Sequence, residues 1–189
     1  MGNYSTDLQT LSIGLLIARV AIGLLMAAHG TQKLVGWFGG YGLNKTGEFF
    51  AQLGFQPGRA FAAAASLTEI AGGLLVALGF LGPIGPALMI SVMIVAGITV
   101  HWGHGLLATN NGIELPLLYA AAALGLALTG FGQYSLDNWL GIAGHLPLVD
   151  TWIALTVGIV GGFANIALRR RDVGGAQHEK AEVTSAGRH

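Results

Sequence analysis

Five apolar stretches limit what this chain can fold into. They cover residues 11–35, 60–81, 87–107, 113–131 and 148–168. Each is about 20 residues or slightly longer, the length a helix rising about 1.5 Å per residue needs to cross a hydrocarbon layer of about 30 Å. A backbone in lipid must satisfy its own hydrogen bonds, so each stretch is expected to be an α-helix. Composition agrees. Of 189 residues, 53% are hydrophobic and 10% charged, whereas a soluble domain carries about 25% charged residues. The expected fold is an all-α membrane protein, a four-helix transmembrane bundle plus a fifth C-terminal transmembrane helix.

The connecting segments fit this division. Residues 36–59 are rich in glycine and aromatics and read as interfacial. Within them Asn44 is expected to cap a short helix carrying Phe49, Phe50 and Leu53 on one side, ended by Pro57 and Gly58. A GPIGP turn (82–86) and an ATNNG connector (108–112) separate the middle spans. Tyr134 and Trp139, in the long fourth connection, suit an interface belt. Residues 1–10 read as an outer N-terminal tail and residues 169–189 as a disordered cytoplasmic tail. The first ten residues lack a basic n-region, so no cleaved signal peptide is expected.

Lys and Arg set the expected orientation. Lys33, Lys45, Arg59 and Arg169–Arg171 fall on one side of a five-span topology, and Asp7, Asp137 and Asp150 on the other. The positive-inside rule then places the N-terminus out and the C-terminus in. The chain has 31 glycines, mostly in or beside the spans, where small residues let helices approach closely. The G-x-x-x-G of Gly158 and Gly162 is read in that way. No close internal repeat supports an inverted-repeat transporter.

Several chemistries are excluded. With no cysteine, the chain has no thiolate nucleophile, zinc–thiolate site, cysteine-held iron–sulfur cluster or covalent c-type haem. A formal net charge of zero gives no field for nucleic acid. The Gly39–Gly40–Gly42 run lacks the ending of a phosphate loop, and no Ser–His–Asp or paired-carboxylate arrangement is readable. His145 and His178 fall in loop and tail and receive no role.

Ionisable residues inside or at the rim of the spans are the place to look for function, because each charge in hydrocarbon costs about 2.5 kcal/mol or more. They are Arg19, His29, Lys33, Glu69, His101, His104, Glu114 and Asp137. Arg19 lies about 12 Å into the first span and Glu69 about 13 Å into the second from the opposite end. The two are expected to meet near the midplane, as a bridge locking the helices or as a binding centre for a polar head group. His29, Lys33 and Arg19 share one helix stripe, with Lys33 about 40° from the Arg19 direction, although Lys33 could equally snorkel to the interface. His101 and His104 sit three apart near the inner end of the third span, level with Glu114, whose bland role is a helix N-terminal carboxylate. Together with His29 they form a candidate metal set. A lone H-x-x-H does not specify a metal, so hydrogen bonding or proton exchange with a ligand is the preferred reading. Asp137 is assigned to the outer loop.

At these residues the chain resembles the DoxX family of small membrane proteins. The resemblance rests on Arg19-V-A-I-Gly23, His29-Gly30-T-Q-Lys33, Glu69-I-A-Gly72-Gly73-L-L-V-A-L-Gly79, Gly112-I-Glu114 and Gly130-F-Gly132-Q-Tyr134-Ser135-Leu136-Asp137, and spans residues 12–140. Phe131 stands where the family often has proline. The resemblance implies a four-helix bundle in a bacterial or archaeal cytoplasmic membrane. It also implies a link to quinone-dependent redox complexes and to oxidative stress.

Three functions are carried forward. The first is a membrane subunit of a redox system that binds a quinone or another lipophilic ligand. There Arg19, His29 and Lys33 would donate to ligand oxygens, and Glu69, His101 or Glu114 would handle protons. No electron carrier is readable, so any oxidoreductase activity would depend on a soluble or membrane redox partner. The second is a non-catalytic anchor or assembly protein for soluble partners, contacted through the first loop and Arg169–Arg171. The third is a transporter of a small solute or protons.

Overall fold

The computed structural model describes residues 2–145 and 147–170. Helix α1 spans Gly2–Val35, α2 Gly42–Gln52, α3 Gly58–Leu78, α4 Ile84–Ala96, α5 Glu114–Thr129, α6 Leu136–Trp139 and α7 Leu148–Ala167. No strand occurs among the described residues. Among the described residues, four segments are long and apolar enough to cross a bilayer: Thr6–Val35, Gly58–Leu78, Ile84–His104 and Leu148–Ala167.

The boundaries differ from expectation in three places. Helix α1 has 34 residues, about 51 Å of helix, so residues 2–10 are helical and continuous with the first span. No proline interrupts them, and the Thr10 hydroxyl donates back one turn to the Thr6 carbonyl at 2.9 Å. Helix α5 has 16 residues, about 24 Å, shorter than the stretch 113–131, because Gly130 at φ 72° leaves the helical region. The third span does not run straight. Helix α4 passes into a π turn at Gly97–His101 and a 3-10 turn at Trp102–His104. The Thr99 hydroxyl donates to the Val95 carbonyl at 2.8 Å, a back-bond that bends helices.

Packing follows the glycines. A Cβ added to Gly30 would lie 2.5 Å from the Ser66 carbonyl oxygen. Gly23 meets the Gly73–Ala77 stretch as closely, so α1 and α3 run antiparallel with their backbones in contact. Helix α4 sits centrally against α3, α5 and α7. One stripe of α7 is buried, namely Thr151, Leu155, Gly158 and Gly162. A Cβ on Gly158 would lie 2.5 Å from the Ala87 carbonyl oxygen, so the G-x-x-x-G packs as expected, and α7 runs parallel to α4. Met26, Val76, Met89, Val92, Leu126, Phe131 and Leu155 fill the core. Ile17, Leu67, Leu118 and Val157 point outward, the surface a lipid-facing bundle presents.

The two ends of the bundle are named here by their short helices. The α6 end holds the start of α1 and the α3–α4 turn. The α2 end holds Lys33, the π turn and the start of α5.

Candidate functional site

Arg19 and Glu69 do not meet. The antiparallel register that sets Gly23 against Gly73–Ala77 and Gly30 against Ser66–Ile70 places Arg19 level with the C-terminal end of α3. That is about ten residues, or about 15 Å, from Glu69. Arg19 is buried, and its guanidinium donates to the Ala77 carbonyl and, at 2.6 Å, to the Tyr134 carbonyl. Nearby, both Asp137 oxygens are occupied. Oδ1 accepts from the Leu81 N–H at 2.9 Å and Oδ2 from the Gly82 N–H at 2.7 Å. Asp137 lies in the connection between α5 and α7, as expected, but it is buried there. These contacts tie that connection onto the α3–α4 turn at the α6 end. A hollow of about 470 Å³ lies beside them, reached by Ser12, Asp137 and Thr151, but the bonds already made to the Asp137 carboxylate leave it little to offer a ligand.

Glu69 is paired instead with Lys33. Helical side chains lean toward their own N-terminus. In an antiparallel pair, Lys33 and Glu69 therefore lean toward each other across the four-residue offset that the register leaves between them. Glu69 is 1% exposed and Lys33 32%. Glu69 Oε1 takes the Lys33 ammonium, and Oε2 has no partner among the described residues. Lys33 thus neither snorkels freely nor joins Arg19.

Beside the pair lies the cavity that makes this end the candidate site. It holds about 570 Å³ between α2 and the α4–π segment, with a wall that is mostly apolar (Phe49, Phe50, Leu53, Val92 and Val95 among it). Lys33 and His101 both line it. Exposed Tyr41, Lys45 and Glu48 also line it, with the Lys45 ammonium 5.9 Å from the Tyr41 ring centre. Helix α2 forms one wall, with its first turn near Lys33: the buried Thr46 hydroxyl donates to the Lys33 carbonyl at 3.3 Å. Helix α2 begins at Gly42 with no side-chain cap, so Asn44 lies inside the helix and does not cap it. The Gly42 φ of 71°, open to glycine, makes the entry to α2.

The π turn brings His101 to this cavity. Its Nδ1 lies 2.7 Å from the Asn111 carbonyl oxygen. The other candidates are held locally. His104 Nδ1 bonds the Val100 carbonyl at 3.0 Å and is exposed. Glu114 opens α5 and accepts from the Ala108 N–H of the preceding connector at 2.7 Å. His29 is exposed, 3.2 Å from Gln32 Oε1, and stands edge-on to the Tyr119 ring at 5.9 Å. The candidate metal set of His29, His101, His104 and Glu114 does not assemble, because no three His, Asp or Glu side chains converge among the described residues. Thr46 is a cavity residue that sequence reasoning missed. It is a polar-tipped side chain beside an apolar run, and a search for such groups near Lys33 would have found it.

Arg169 and Arg170, at the end of α7, are engaged as well. The Arg169 side chain donates to the Leu53 carbonyl, and the Arg170 N–H donates to the Gly54 carbonyl at 2.9 Å. Arg171 and the rest of the tail lie outside the described residues, as does His178.

A family model described as DoxX matches residues 14–102. The match runs from within α1 to just past the π turn, and so includes Arg19, Lys33, Glu69 and His101. It stops short of the Gly130–Asp137 segment that the structure brings against α3. No curated protein and no solved structure matches the chain.

Proposed function

We propose that this integral membrane protein with a DoxX domain binds a quinone-like or other lipophilic ligand in the cavity beside α2. On this reading it serves as the membrane subunit of a redox system. One observation carries the reading. An apolar cavity of about 570 Å³, within the range of small-molecule sites, has at its wall Lys33, the partner of the buried Glu69 carboxylate. Lys33 has three N–H donors, and Glu69 takes one. The others can donate to a ligand oxygen. Glu69 holds the ammonium in place through Oε1, and its Oε2 has no partner among the described residues. His101 adds a second polar group across the cavity. Electrons would come from a partner protein, since the chain offers no carrier of its own.

Titration of detergent-solubilised protein with a short-chain benzoquinone, read by tryptophan quenching or calorimetry, tests this. Lys33→Met should weaken binding at least tenfold, the cost of one charge-assisted hydrogen bond. Undiminished binding in folded Lys33→Met protein would sink the site.

A further inference from the structure

The bond His101 makes outside the cavity fixes what it can do inside it. A carbonyl oxygen can only accept. The nitrogen 2.7 Å from the Asn111 carbonyl therefore carries the proton, and in the neutral ring the other nitrogen, Nε2, is left as a lone-pair acceptor. Nε2 has no partner among the described residues. The cavity thus sets a donor, Lys33, against an acceptor, His101. The remaining polar groups do not change that pattern. The Thr46 and Thr99 hydroxyl protons are spent on the Lys33 and Val95 carbonyls. Tyr41, Lys45 and Glu48 are exposed.

A ligand with two carbonyl oxygens satisfies Lys33 and leaves Nε2 facing a second acceptor. A ligand with hydroxyls satisfies both, because a hydroxyl accepts from one side and donates from the other. An unmet polar partner in an apolar site is what discriminates strongly between close analogues. We infer that His101 is a specificity-determining residue that selects a lipophilic ligand bearing a hydroxyl, so that, of a quinone and its quinol, the quinol is held more tightly. This rests on the cavity being the ligand site proposed above.

The test compares three probes under anaerobic conditions in detergent: a short-chain benzoquinol, its dimethyl ether and the corresponding benzoquinone. In the wild type the quinol should bind about tenfold tighter than either of the others, the worth of one hydrogen bond. His101→Asn keeps a side-chain N–H for the Asn111 carbonyl and removes the Nε2 acceptor. In that variant the three affinities should converge through loss of quinol binding alone. Asp150→Asn, at an exposed carboxylate in the first turn of α7 and outside the cavity, should leave the preference intact. Equal binding of quinol and ether in the wild type overturns the inference, and so does a preference that survives His101→Asn. Should His101→Asn not fold, the wild-type comparison of quinol with its ether and the Asp150→Asn control still decide. Failure of all three probes to bind the wild type overturns the cavity as a ligand site, a result distinct from binding without preference.

Discussion

Gly23 of α1 and Gly73 of α3 lie backbone against backbone: a Cβ on either would come within 2.5 Å of the other's carbonyl oxygen. This contact sets the register of the two helices, and the register decides which charges meet. With this pairing Lys33 reaches Glu69, and Arg19 is carried to the far end of α3.

The contact predicts a sharp contrast among glycines. Gly23→Val and Gly73→Val must push two backbones apart, and overpacking of this kind costs about 1–3 kcal/mol or more. Each should lower the thermal unfolding midpoint in detergent by several degrees. Gly14→Ala and Gly125→Ala lie on helices with nothing within 4 Å of the added Cβ, and alanine is favoured over glycine in a helix by about 1 kcal/mol. These should leave the midpoint unchanged or raise it. Equal losses in all four would mean that α1 and α3 are not in close contact.

The ion pair predicts non-additivity. Removing Lys33 leaves a carboxylate that is 1% exposed without its partner. Breaking a buried pair from one side costs about 3–5 kcal/mol, with protonation of the carboxylate reducing the loss. Lys33→Met should therefore destabilise more than the double variant Lys33→Met/Glu69→Leu, which removes both charges. A double variant no more stable than the single one would show that the two residues are not coupled.

How much of this was readable beforehand depends on the kind of information needed. Hydropathy over about 20 residues located the long helices, and the small-residue spacing of Gly158 and Gly162 correctly marked the packed face of α7. The partner of Glu69 was not readable. Depths estimated from the ends of apolar stretches carry the uncertainty of those ends, and α1 starts at Gly2 where hydropathy begins at Leu11. In the observed register Glu69 is level with about residue 29 of α1, ten residues from Arg19 but four from Lys33. The π turn that carries His101 also escaped, since Gly97-I-T-V-His101 is as apolar as a straight helix would be. The metal set failed because His29, His104 and Glu114 sit on separate elements and each is held by its own local contact.

Orientation is open to direct measurement, and the absence of native cysteine makes the experiment clean. Lys33, Lys45, Arg59, Arg169 and Arg170 belong to elements at the α2 end, while Asp137 and Asp150 belong to the α6 end. The positive-inside rule predicts that the α2 end faces the cytoplasm. Lys45→Cys and Trp139→Cys, both at exposed positions, should differ in intact cells. An impermeant maleimide should label Trp139→Cys promptly and Lys45→Cys only after lysis. The opposite pattern would reverse the topology.

The α6-end contacts predict a loss of stability that leaves the proposed ligand site untouched. Asp137 receives two backbone N–H groups, one on each oxygen, from Leu81 and Gly82. Leu81 has a φ of 60°, a conformation leucine rarely adopts, so the carboxylate holds a turn with little tendency to form by itself. Asn at this position can accept only one of the two bonds, and its NH2 would face the other N–H. An unmet buried donor costs about 1–3 kcal/mol, so Asp137→Asn should lower the unfolding midpoint by several degrees. The cavity beside α2 lies at the other end of the bundle, so the affinity of folded Asp137→Asn protein for a short-chain benzoquinol should equal that of the wild type. A fall in affinity without a fall in midpoint would mean that the α6 end takes part in binding, and would move the candidate site to the hollow beside Asp137.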